Sequence, residues 1–438
     1  MFAEKVHELM TLLDSDSHAV SEEDSIDLLQ KLEETKRVVS AIQAEVTNTF
    51  VQQRQAAEAA DRIPTSEQLK GIEAEVGLAR GESAFVGAAL THTATALCTV
   101  LPNTLAALAA GRVSEYHARI VAEQTNHLSE AHRREIDAAI AHRLGKASSS
   151  QLRTLIQGHA YRLDRKAAEQ RAAQNKRGRC VSLVPLGEGM VAVNAELPTH
   201  QGLAIMEALK KRTNQRVAAQ YRQQADEATA PVGAPVNRNH IMADVLVETL
   251  TGQATAAGVA AEVVVVVDDT MLFGDGDTPG WIPGHGPLPA GMVKDWLADP
   301  DAKKFIRRMY TRPDDGQLVA LESTRRRFPD GLVTMLRLRD DSCATPWCNS
   351  PIQDADHRRS WATGGTTSWA NSTGLCKRCN QRKENRGWTY TGTLDQLVVT
   401  TPTGHSYTVG TTPPISQLRH SGSDPPKISI DIAQPIAA

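Results

Sequence analysis

Cys343-Ala-Thr-Pro-Trp-Cys348, then Asp356-His357, Gly364-Gly365-Thr366, Asn371, Cys376-Lys-Arg-Cys379 and Asn380: the reading of the chain turns on this stretch. Of 438 residues only six are Cys and six are Trp, yet four of each fall between 343 and 388. The tryptophans are Trp347, Trp361, Trp369 and Trp388. Cys-x4-Cys followed by Cys-x2-Cys is zinc-site spacing, because each short loop lets two thiolates meet one tetrahedral ion at about 2.3 Å. Four thiolates (Cys343, Cys348, Cys376, Cys379) close the coordination sphere, so Zn²⁺ here is structural. Its binding energy then becomes folding energy for a small unit, and the tryptophans add apolar mass to it.

Between the cysteine pairs runs a second series, Asp356-His357, Asn371 and Asn380. Asp and Asn are oxygen ligands suited to a hard divalent ion such as Mg²⁺. A neutral His beside them can take a proton from water. The same residue types also serve as loop, turn and helix-cap residues, and chemistry alone leaves both readings open. Charge sharpens the picture. The whole chain is acidic by three charges, but residues 301–390 hold 17 Lys and Arg against 10 Asp and Glu. A basic segment in an acidic chain points to a polyanionic partner.

The arrangement over about residues 335–390 resembles the HNH endonuclease motif of the ββα-metal type, in its four-cysteine, zinc-bearing form. The resemblance implies a metal-dependent endonuclease acting on DNA. It implies His357 as general base, Asp356 and Asn380 as ligands of a divalent ion (Mg²⁺, or Mn²⁺ or Ni²⁺), and Asn371 as the brace of the hairpin loop. Arg358, Arg359, Lys377, Arg378, Arg382, Lys383 and Arg386 are the expected nucleic-acid contacts, with Arg325, Arg326 and Arg327 adding to them. Two departures stand out: the last motif letter is Asn380 where His is common, and Arg358 takes a usually apolar place. A catalytically silent, zinc-stabilised nucleic-acid-binding protein is the alternative.

Upstream, Leu101–Ser114, the Arg179–Leu197 hairpin, Gly286-Pro-Leu-Pro289 and Thr324-Arg-Arg-Arg-Phe-Pro329 resemble DUF222, the domain that precedes HNH modules in the actinobacterial 13E12 repeat family. The expected organisation is an N-terminal helical segment (1–62), a helical to α+β region (63–330), the HNH domain (335–390) and a disordered tail (411–438). The fold class is mainly α with a small α+β part, followed by a small ββα-metal domain. Apolar spacings of three and four predict a helix from Ser21 to about Arg62, then helices over 67–79, 83–100, 113–124, 129–144 and 149–174. Residues 180–197 read as a β-hairpin. Helices are expected at 199–222, 241–250, 293–299, 303–310 and 330–338. The five valines of 263–267 read as a buried strand, 274–289 as a loop, 317–321 as a short strand and 389–409 as further strands. Asp268-Asp269 would end the valine strand as solvated carboxylates; a separate metal site there is the weaker reading. No run of 18 apolar residues and no apolar leader occur, so neither a membrane span nor secretion is expected. Sparse cysteines make the reducing cytoplasm the default compartment.

Overall fold

The computed structural model describes residues 21–226, 237–255, 265–267, 271, 276–298, 322–323, 326–393 and 396–410. Asp268-Asp269, the 303–310 helix, the 317–321 strand, Arg325 and the tail lie outside the described residues.

Helix α1 (Glu22–Ala60) begins where Ser21 and Asp24 cap each other's backbone N–H groups, with three acidic residues in the first turn. Both features favour the positive end of a helix dipole. Next come α2 (Ile72–Ala79), α3 (Ala84–Thr99), α4 (Pro102–Ala109), α5 (Glu115–Thr125), α6 (Glu130–Ile140), α7 (Ser149–Leu163) and α8 (Arg165–Arg177). Ser83, Ser114, Ser129 and Ser148 cap α3, α5, α6 and α7. Leu97, Leu108, Ile120, Ile136, Ile140 and Ile156 from these helices form one apolar core, which Ala41 of α1 joins. Asp137 is fully buried there and accepts from the Asn103 and Thr104 N–H groups at 2.7 and 3.0 Å. It thereby caps α4 from another helix, since Leu101 at the cap position has no side-chain acceptor. The expected single helix over 149–174 is two helices: Asp164 leaves helical geometry and caps Ala167 N at 2.8 Å.

Strands β1 (Cys180–Gly187) and β2 (Met190–Glu196) form the expected antiparallel hairpin. Helices α9 (Thr199–Asp226) and α10 (Arg238–Thr251) pack through Leu209, Ile241 and Val245, and Arg216 pairs with Glu248 at 2.7 Å. The expected loop at 274–289 instead contains a small hairpin, β3 (Gly280–Ile282) with β4 (Gly286–Leu288). Val266 bridges to Trp281 in the middle of it. Helix α11 (Ala290–Ala298) follows. Among the described residues no single helix is long and apolar enough to cross a membrane.

The C-terminal module is built on α12 (Asp330–Asp340), β6 (Asp354–His357), β7 (Thr367–Ser368), β8 (Ser372–Leu375) and α13 (Lys377–Lys383). The short strand β5 (Glu322–Ser323) pairs with β7, and β6 pairs antiparallel with β8, with His357 opposite Ser372. A meander of β9 (Thr389–Gly392), β10 (Gln396–Thr400) and β11 (Ser406–Gly410) completes it.

Helix α2 belongs to both halves of the chain. Ala74 and Leu78 pack with the four cysteines, Trp388, Tyr390, Leu397 and Val399 in one cluster. Gly71 starts this helix at φ +87°, and a Cβ there would lie 2.8 Å from Trp388 Nε1. Glu75 is buried beside the contact and pairs with Arg54 of α1 at 2.9 Å.

Candidate active site and metal centre

Cys343 and Cys348 lie on the loop after α12, where Trp347 turns the chain at φ +58°. Cys376 is the N-cap of α13, its Sγ accepting from Cys379 N. All four thiols are buried, and their Sγ atoms lie within 4.8 Å of one another. Cys348 Sγ is 3.9 Å from Cys376 Sγ and 3.7 Å from Cys379 Sγ. A tetrahedron with Zn–S bonds of about 2.3 Å has edges of about 3.8 Å, so the cluster fits zinc. Donation to Cys348, Cys376 and Cys379 pushes the Cys343 thiol up. Acceptance from Cys343 pulls Cys348 down to about 6 and Cys376 further. A metal takes such thiols as thiolates. Arg382 donates to Cys379 Sγ at 3.6 Å and lies over the Trp388 ring.

The loop between β6 and β8 is held by Asn371. Its Oδ1 accepts from Arg359 N at 2.8 Å, and its Nδ2 donates to Arg359 O and Thr366 O at 3.0 and 2.8 Å. Gly365 permits this closure, because a Cβ there would meet Arg359 O at 1.9 Å. Beneath the hairpin, Arg339 is sealed from solvent. It stacks on Trp369 and donates to Ser372 O, while Asp340 accepts from Gly374 N.

His357 is 6% exposed. Its ring lies 4.5 Å from that of Phe328 and 5.7 Å from that of Trp361, and Nε2 is 2.8 Å from Thr367 Oγ1. Burial, first of all, pulls its pKa below the ordinary imidazole value; Asp356 opposes this, while Lys383 and Arg326 add to it. Burial thus favours the neutral ring, the form a proton acceptor needs.

Strand alternation sends Asp354 and Asp356 to the other face of β6, against α13. Asn380 Nδ2 donates to Asp354 Oδ2 at 3.0 Å. Lys383 Nζ meets Asp356 Oδ2 at 2.6 Å and also contacts His357 O. The structure thus brings Asp354, Asp356 and Asn380 to one strand–helix junction. It does not pair Asp356 with Asn380, and His357 lies across the strand. The donor set, two carboxylates and an amide oxygen, suits a hard divalent ion.

Three of the expected nucleic-acid contacts are turned inward: Arg358 is buried and donates to Gln396 O, Arg382 is buried against Cys379 and Trp388, and Lys383 is held against Asp356. Arg326, Arg327, Arg359, Lys377, Arg378 and Arg386 are exposed. Sequence reasoning passed over Asp354 and Thr367. Asp354 sits two residues before Asp356, and that i, i+2 spacing on a strand was the signal.

A β-hairpin and helix clamped by four cysteines, with carboxylates, His and Asn at the junction, define the ββα-metal class. Residues 343–386 match the HNH endonuclease family. Residues 26–340 match the domain of unknown function DUF222, and the chain belongs to that family, with the HNH domain following. The match takes in most of α1, which joins the same core as α3 to α7. No curated protein matches the chain, and no solved structure does. The HNH domain gives the chain a nuclease or nucleic-acid-binding role.

Proposed function

We propose that the chain hydrolyses phosphodiester bonds in DNA. His357 takes a proton from water, the water oxygen attacks phosphorus, and the bond to the leaving 3′-oxygen breaks. Asp356 and Asn380 would hold the divalent ion, with Asp354 orienting Asn380. When bound, the ion supplies Lewis-acid stabilisation of the charge that builds on phosphate and leaving oxygen. Thr367 Oγ1, 2.8 Å from His357 Nε2 and 3.3 Å from Arg326 O, fixes the orientation of the imidazole ring. Asn371 keeps the loop that carries this geometry closed. Arg359, Lys377, Arg378 and Arg386 supply exposed positive charge for the phosphate backbone.

The observation that carries the reading is the coexistence of a buried, oriented His357 with Asp354, Asp356 and Asn380 on one small hairpin–helix unit that matches HNH endonucleases. A plasmid-nicking assay with Mg²⁺, Mn²⁺ or Ni²⁺, beside EDTA, tests it. Nicking should require the ion and vanish in His357→Ala while zinc stays stoichiometric. Undiminished nicking by that variant removes His357 as base.

A second reading, a silent nucleic-acid binder, draws on Lys383: an ammonium already occupies Asp356. Salt-dependent DNA binding without nicking in any metal would favour it.

A further inference from the structure

The oxygen-rich junction of β6 and α13 already holds a cation, and the chain itself carries it. Lys383 Nζ lies against Asp356 Oδ2 and His357 O, and only 7% of its side chain is exposed. A second ammonium, Lys377 Nζ, stands 3.7 Å from Asp354 Oδ2 but is mostly solvated. Lys383 sits one turn beyond Asn380 on the same helix, so helical periodicity delivers it to the same face as the amide ligand.

We propose that Lys383 is a resident counter-ion that a divalent cation must displace from Asp356. It sets the metal affinity of the junction and keeps the site idle when divalent ions are scarce. The proposal rests on Asp356 being a metal ligand. A half-buried carboxylate left without a partner is costly, so the ammonium stabilises the metal-free junction. An ammonium and a divalent ion on the same carboxylate oxygen repel each other, so metal entry includes breaking the Lys383–Asp356 pair. Lys is suited to this exchange: its charge is compact and its four-carbon stem lets it swing away.

The test is Mn²⁺ binding, read as loss of the free-ion EPR signal, with full-length, zinc-loaded wild type, Lys383→Met, Lys383→Gln and Asp356→Asn. Zinc content and circular dichroism establish that each variant is folded. Both Lys383 variants should bind Mn²⁺ roughly tenfold more tightly than wild type. Asp356→Asn should lose the site. Equal or weaker binding in the Lys383 variants, with Asp356→Asn still defective, overturns the displacement and leaves the metal site standing. Binding that Asp356→Asn does not alter, or no binding in any variant, overturns Asp356 as a ligand and the displacement with it.

Discussion

In the helical bundle most of the sealed side chains are apolar, among them Leu97, Leu108, Ile120, Ile136, Ile140 and Ile156 in one cluster, with Asp137 a buried polar exception. In the C-terminal module the sealed side chains include Arg339, His357, Arg358, Arg382, Thr367 and four cysteines. The bundle is held by area removed from water, which is non-directional and tolerates volume-conserving exchange. The module is held by directed partners, each of which leaves another group stranded when removed. A small unit with two small apolar clusters adds this second route, and a four-cysteine metal site suits it.

The largest effect expected from this contrast is zinc removal. A strong chelator, or Cys376→Ser, should unfold the module while most of the helical circular dichroism persists. Metal binding to structural zinc peptides is worth about 10–16 kcal/mol, more than the module's own core can replace. Hydrogen-exchange protection of β6 and β8 that survives chelation would break the comparison. Next comes Arg339→Met, which strands Asp340, Ser372 O and Trp369 O; a loss of about 3–5 kcal/mol is expected in denaturant melts. A bundle substitution, Ile136→Ala, should cost about 2–5 kcal/mol without changing zinc stoichiometry. A change in zinc content in that variant would show the two cores to be more strongly coupled than packing implies. The smallest effect is that of pH. Because folding lowers the His357 pKa below its ordinary value of 6.5, the unfolded chain binds more protons in the window beneath 6.5. Its contribution to stability is intact above 6.5 and is lost as pH falls through that window. Urea midpoints at pH 7.5 and 5.5 should therefore differ more for wild type than for His357→Gln; parallel shifts would remove His357 as a source of acid sensitivity.

Much of this organisation is written in local residue patterns. Ser21, Ser83 and Ser129 announce helices because a cap acts within one turn. The cysteine pairs announce a metal centre because ligand spacing is short-range. What stayed hidden depends on depth and on distant partners. Arg358 and Arg382 read as surface cations, since sequence gives their charge and not their burial. Asp164 read as a helix interior because its role, capping α8, requires the chain to bend first. Lys383 read as a phosphate contact because nothing local reveals that Asp356 lies within its reach. The Asp356–His357–Asn371–Asn380 series was visible, but its partition across the two faces of β6 was not.

Helix α2 has a consequence in the order of synthesis. Residues 72–79 leave the ribosome long before 343–409, the segment against which Ala74 and Leu78 pack. At roughly 5–20 residues per second, the interval is on the order of tens of seconds. Through that interval the face of α2 that carries Ala74 and Leu78 waits uncovered, and the nascent bundle completes its surface only when the four-cysteine segment arrives.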